Sequence, residues 1–224
     1  MLLAREYEKG RMVIISDQNM WSDAFINYAD NYRLWLNAMA WLLDDPNVAD
    51  WKAYEEWHRP RIAIYEPDDA TSFGSSDARG HYHLMCLLSR HYWTFVNSRL
   101  DERADLRVVA DGLRNFTREE TAKLSAYVRS GGSLIVVPRS SVETEKEGEK
   151  PVALSAALEL SGAERKLREK ATEYALPGGG RVVFLADDLE PSNDRLAPPT
   201  RLPNAEEGRR EAAILEIVRG LFGE

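Results

Sequence analysis

The sequence predicts an α/β protein built on an open, parallel sheet with helices on both faces. Three observations predict it. Short apolar, β-branched runs recur along the 224 residues, unbroken rather than alternating, as in strands covered on both sides. Amphipathic stretches of helical period separate them, the arrangement that yields right-handed crossovers. One unit of strand, acidic turn and helix occurs twice, over residues 10–43 and 180–222.

The run Gly10-Arg11-Met12-Val13-Ile14-Ile15-Ser16-Asp17 is expected as a buried parallel strand ending in an acidic turn. Asp30 or Asn31 then caps a helix to about Leu43, with Leu34, Trp35, Met39 and Leu42 as its stripe. Asp44-Asp45-Pro46-Asn47 ends it, and residues 51–58 form an aromatic-rich connection, read as a short helix and stopped by Pro60. Arg61-Ile62-Ala63-Ile64-Tyr65 is a strand opening into a polar loop over residues 66–80. Residues 81–91 form a helix with Leu84, Leu87 and Leu88 inward, followed by short strands at 94–96 and 106–110.

Thr117-Arg118-Glu119-Glu120 is a capping box, in which the Thr117 hydroxyl accepts from the Glu120 N–H and the Glu120 carboxylate accepts from the Thr117 N–H. Its helix presents Leu124, Tyr127 and Val128 and stops at Gly131-Gly132 before the strand Leu134-Ile135-Val136-Val137. Residues 140–150, dense in Glu and Lys, read as a solvated loop and as the segment of the chain best suited to disorder. Residues 151–160 read as a short apolar helix. Residues 165–176 read as extended, although their charge pattern also fits a helix. Gly180-Arg181-Val182-Val183-Phe184-Leu185-Ala186-Asp187 closes the strands, and a terminal helix carries Ile214, Leu215, Ile217, Val218 and Leu221.

A net charge of −8 argues against a phosphate grip on nucleic acid and against an anionic membrane surface. No apolar run reaches the roughly 20 residues a bilayer requires. Residues 1–11 place Arg5, Glu6, Glu8 and Lys9 ahead of any long apolar run, unlike a secretory signal, so a cytoplasmic location is expected. Cys86 is the single cysteine, which excludes an internal disulfide and a multi-cysteine metal cluster.

Set at an offset of 170, the repeated units agree at Gly10/Gly180, Arg11/Arg181, Val13/Val183, Asp17/Asp187 and Ser22/Ser192. The strand Arg61-Ile62-Ala63-Ile64 with its helix, the stretch from Phe116 through Gly131-Gly132 to Val136, and the closing strand at Gly180 resemble the class I glutamine-amidotransferase-like superfamily. The nearer branch is its non-catalytic auxiliary domains, associated with gliding, ABC-transport and intraflagellar-transport systems. That resemblance implies a flavodoxin-like parallel open sheet over residues 59–224. It also implies that residues 1–58, with Asn31, Asn37 and Trp41-Leu42, form the closing unit of a preceding, truncated domain. Such an orphaned strand and helix needs a partner surface, either the main domain or a second chain. The expected partner is therefore a protein or another copy of the chain.

Catalytic members of that superfamily place a nucleophilic cysteine at a strand-to-helix elbow. Here the corresponding strand runs into Pro138-Arg139-Ser140-Ser141, with no cysteine and no glycines for a strained turn. Cys86 lies between Met85 and Leu87, where a small buried side chain is expected. His81 and His83, two apart on a helix, point about 200° apart and do not share a metal.

Carboxylates remain. Asp17, Glu66 with Asp68 and Asp69, Asp111, and Asp187 with Asp188 all fall just beyond the C-terminal ends of expected strands, the edge where open sheets bind ligands. Gathered, they would hold Mg²⁺ or Ca²⁺ or act as an acid/base pair; taken singly, each caps a helix or shapes a turn. The loop over residues 71–80, with Ser75 and Ser76, lies at the same edge and reads as a ligand loop, without the Gly-Lys-Ser/Thr ending of a phosphate loop. No cofactor is implied. The sequence thus points to a non-enzymatic ligand- or protein-binding domain, possible within a larger transport- or envelope-associated assembly. The alternative is a hydrolase working through the acidic edge, with or without a divalent cation.

Overall fold

The structure, a computed structural model, describes residues 2–16, 31–49, 60–66, 80–97, 99–110, 116–137, 158, 160, 163–168 and 170–223. The expected solvated loop at 140–150, and the connection at 51–58, lie outside these residues. So does most of the helix expected at 151–160.

The strands of the main sheet are β3 (Arg61–Tyr65), β4 (Trp93–Asn97), β5 (Leu106–Ala110), β6 (Ser133–Val137), β7 (Glu164–Arg168), β8 (Ala171–Ala175) and β9 (Arg181–Leu185). They stand in the order β4-β3-β5-β6-β9-β8-β7. Neighbours from β4 to β9 pair parallel, whereas β8 runs antiparallel to β9 and β7 antiparallel to β8. The sheet is therefore mixed and mostly parallel. Its central strands, β3, β5 and β6, are buried almost throughout, which is why their sequences are continuous apolar runs.

Alternate side chains feed two cores. Ile62, Ile64, Leu106, Val108, Ile135 and Val183 pack against α2 (Tyr82–Ser89) and α4 (Ala205–Phe222). Tyr65, Val109, Leu134, Val136 and Val182 face the other way, against Leu124 and Val128 of α3 (Arg118–Arg129). Helices therefore cover both faces, as expected.

The capping box of α3 forms as read: the Glu120 N–H donates to the Thr117 hydroxyl at 3.2 Å and the Thr117 N–H to the Glu120 carboxylate at 2.7 Å. Past its end, Gly131 takes φ 100°. α4 has its own box, with Asn204 as the cap and Glu207 returning to it.

From β4 the chain returns to β5 through residues 99–105, none of them helical. This segment crosses the α3 face past β3. Its Asp105 N–H donates to the Arg61 carbonyl at 2.9 Å, and the Tyr127 hydroxyl donates to the Ala104 carbonyl at 3.4 Å. The chain thus moves outward from β3 to β4, then back across to β5. The strand order reverses between β3 and β5.

The N-terminal unit differs from the expectation. β2 (Gly10–Ile15) pairs antiparallel with β1 (Leu2–Tyr7) in a separate two-stranded hairpin. All of β1 and alternate residues of β2 are exposed, so β2 is not a buried parallel strand. Its second side is half-covered by α1 (Asn31–Leu43), where Arg11 lies over the Trp41 ring at 5.5 Å and bridges Asp44 at 2.6 Å. In α1 itself, Leu36 is the buried residue and Trp35 is exposed. The repeat is thus one of sequence and not of structure: β9 lies inside the main sheet while β2 belongs to a hairpin.

Candidate functional site

Five parallel strands end on one edge, and at the order reversal between β3 and β5 that edge opens into a cleft of about 400 Å³. Tyr65, the last residue of β3, forms part of it together with Leu100 from the crossing segment and Thr117, Glu119, Glu120 and Lys123 from α3. Tyr65 and Leu100 are both buried and supply the apolar part of the cleft, with one phenolic hydroxyl, in a lining that is otherwise polar and charged. That hydroxyl donates to Glu120, whose other carboxylate oxygen holds the Thr117 N–H. One side chain therefore caps α3 and fixes the tyrosine at the cleft.

Two ion pairs line the rim. Arg99 donates to Asp101 at 3.2 Å and Lys123 meets Glu119 at 2.8 Å. Arg99 holds the Asp101 carboxyl below the usual carboxylate range by hydrogen bonding, and Glu119 raises Lys123 in the same way. Both pairs are well exposed and can exchange partners with solute.

Of the carboxylates and serines singled out in the sequence, Asp17, Asp68, Asp69, Ser75, Ser76 and Asp111 lie outside the described residues. Glu66 follows Tyr65 and is half-buried, while Asp187 and Asp188 are exposed in a short 3-10 turn after β9. β3 and β9 are three strand spacings apart, about 14 Å. That span is far beyond shared ligation, so Glu66 and Asp187 do not form one metal site. Among the described residues, no group of three or more His, Cys, Asp or Glu side chains could hold a metal ion.

Asp187 and Asp188 do not cap a helix by their side chains either. Ala186 is the cap of the 3-10 turn, without a side-chain bond, and Asn204 caps α4. Arginines instead take the backbone here: Arg195 donates to the Asp187 carbonyl at 3.0 Å, and Arg210 to the Asp188 carbonyl at 3.4 Å. Asp188 lines a second cleft of about 450 Å³ at the start of α4. Three of its four acids are engaged within the protein: Asp194 accepts from the Ser192 hydroxyl at 2.6 Å, Glu206 from Arg210 at 3.2 Å, and Glu207 from the Arg201 fork at 2.7 and 2.6 Å. Arg201 and the Asn204 N–H draw the Glu207 carboxyl down to about 2.

Among the described residues, Cys86, His81 and His83 fit no catalytic arrangement. Cys86 is 1% exposed inside α2, and burial pushes its thiol up to about 11. His81 is buried as well, and desolvation lowers it to about 4, so it is neutral at pH 7. His83 Nδ1 lies 3.0 Å from the Leu196 carbonyl, and the His83 N–H donates to Asn193 at 2.8 Å, tying α2 to the segment before α4.

Sequence reasoning missed Tyr65, Arg99, Asp101 and Lys123 as cleft residues. Two signals could have found the centre of the cleft: an aromatic residue with a polar tip closing an aliphatic strand, and a capping-box glutamate two strands from that tip in the chain order. No family model matches the chain, no curated protein matches it, and no solved structure matches it. Among the described residues, no helix is long and apolar enough to cross a membrane.

Proposed function

We propose that this chain is a non-catalytic α/β binding domain, flavodoxin-like and akin to the auxiliary amidotransferase-like branch, whose ligand seat is the Tyr65 cleft. The observation that carries the proposal is the position of the cleft at the reversal of strand order, where open sheets bind ligands. The flavodoxin-like part is supported by the strand order: numbered along the chain, the five parallel strands β3, β4, β5, β6 and β9 stand 2-1-3-4-5. The non-catalytic part is supported by the thiol of Cys86, raised to about 11 and closed to solvent, and by the absence of a cysteine after β6.

The rim favours a small ligand that carries both an anionic and a cationic group. Each rim pair can then exchange one partner for the ligand, and neither side is left with an uncompensated charge. Thermal unfolding in the presence of amino acids and dipeptides, against acetate, phosphate and simple amines, tests this. Zwitterions should raise the midpoint, and Leu100→Trp, which fills the cleft, should abolish the rise. Equal stabilisation by all solutes, or an undiminished rise in the tryptophan variant, would count against the seat. Turnover of nitrophenyl esters or phosphates in Mg²⁺ or Ca²⁺, lost on Asp187→Asn with Asp188→Asn, would replace this reading with the hydrolase.

A further inference from the structure

At the far edge of the main sheet, β7 has the sequence Glu-Arg-Lys-Leu-Arg and, among the described residues, pairs only with β8. Among the described residues nothing pairs with its outer side, a row of backbone donors and acceptors able to take a further strand. Lys166 is paired with Glu164 at 3.6 Å, whereas Arg165 has no ion-pair partner among the described residues. Leu167, beside them, is 73% exposed.

Charged edges commonly guard a sheet against other copies of the same protein. That explanation fits poorly here. The chain carries −8 overall, and this edge strand holds three cations against one acid, so it attracts other acidic surfaces instead of repelling them. A second copy of β7 is the weaker occupant, because the two-fold axis sets like charges together. A two-fold antiparallel pair centred on Arg165 sets Arg165 opposite its own copy. Centred on Lys166, the pair opposes two lysines, and centred on Leu167 it opposes Lys166 with Arg168 twice. Every symmetric register thus sets like charges together at or beside its axis, offset only where Glu164 faces a cation of the copy.

We infer that the β7 edge receives an extended acidic segment of a partner protein as an additional strand. Main-chain hydrogen bonds hold such a segment, and alternate side chains choose it. Residues directly opposite share a face, so acids belong across from Arg165, Lys166 and Arg168, and an apolar residue belongs across from Leu167. Run antiparallel, the motif is acid, apolar, acid, acid. This inference is independent of the Tyr65 cleft, which lies at the other end of the strand order.

The test uses a fluorescein-labelled, amidated hexapeptide, Thr-Glu-Val-Glu-Glu-Thr, and fluorescence anisotropy with the full chain at low salt. Saturable binding is expected. It should weaken at least tenfold in R165E/K166E, in a peptide with Gln for Glu, and in a peptide N-methylated on alternate amides. Both substituted residues are exposed, and an unchanged unfolding midpoint for R165E/K166E would show that the edge change leaves the fold intact. No saturable binding, or binding indifferent to the charge reversal, overturns the inference. Equal binding of the N-methylated peptide overturns strand addition in favour of charge attraction alone. Dimerisation through this edge, seen as a doubled mass in sedimentation that R165E/K166E removes, overturns it in favour of a second copy.

Discussion

Replacing Gly180 by alanine is the sharpest perturbation of the sheet. A Cβ built there would lie 1.8 Å from the Val128 carbonyl oxygen and 3.0 Å from that of Gly132. Both obstacles are backbone, at the end of α3 and the turn that follows. Raising 1.8 Å even to 3.0 Å requires a displacement of 1.2 Å in groups that are already hydrogen-bonded. The Leu176 N–H donates to the Gly180 carbonyl at 2.9 Å, the Arg181 N–H to Gly132 at 3.2 Å, and the Gly131 N–H to Val128 at 3.0 Å. Overpacking costs about 1–3 kcal/mol, and each hydrogen bond lost adds about 1 kcal/mol. The expected loss is therefore about 3–5 kcal/mol, a large part of a typical domain's stability. Gly179 is the internal control: its φ is +86° but its Cβ position is open. Gly179→Ala should cost only the left-handed strain, about 1–2 kcal/mol. Urea denaturation of the two variants measures both. A Gly180→Ala loss below about 1 kcal/mol, or one smaller than that of Gly179→Ala, would refute the close crossing of β9 and α3.

Three further outcomes follow from the site and the core. Glu120→Ala removes the acceptor of both the Thr117 N–H and the Tyr65 hydroxyl, and should cost about 2–3 kcal/mol, whereas Glu120→Gln, able to keep the box, should cost less in urea denaturation. His81 is lowered by burial from 6.5 to about 4, so between these values the unfolded chain binds the proton that the native state refuses. Stability should therefore fall as pH drops through that window, by on the order of 3 kcal/mol, and His81→Phe should flatten that part of the stability curve; an unchanged slope would contradict the assignment. Cys86 should react with a disulfide reagent at mildly alkaline pH only through opening, at a rate that climbs with urea; prompt labelling of the native chain would contradict its burial.

The run from β3 to β6 was legible because local signals agree with one another there. Unbroken apolar strands alternate with a short helix, and the Thr117 to Glu120 box and Gly131 bracket α3. The N-terminal strand misled because four apolar residues in a row look alike whether a sheet buries them or a helix half-covers them. What distinguishes β2 is its partner, β1, in which Arg5 and Glu6 break the apolar pattern. The Glu8-Lys9-Gly10 turn, with Glu8 at φ 52°, was the available hairpin signal. The β7–β8 hairpin was readable as extended but not as a hairpin, since its charge pattern fits a helix as well and carries no turn signal that decides between them.

The candidate site was less legible for a different reason. The carboxylate pattern pointed to the C-terminal edge of the sheet, but strand order, not sequence, sets which ends are neighbours. Among the described candidates, Glu66 and Asp187 follow one another in the chain and end on strands about 14 Å apart in the sheet. Glu120 was readable as a cap, and its second task, holding Tyr65, depends on the packing of α3 over β3. Arg99 and Asp101 sit in a crossing segment with no periodic pattern to mark it.

The most direct test of the binding seat is amide chemical-shift mapping of the whole chain with glycyl-glycine, a small zwitterion, titrated to millimolar concentrations. Shifts concentrated on Tyr65, Leu100, Asp101, Thr117 and Lys123, and lost in Leu100→Trp, are the predicted result. Shifts confined to residues 187–210, or none at saturating solute, would contradict it.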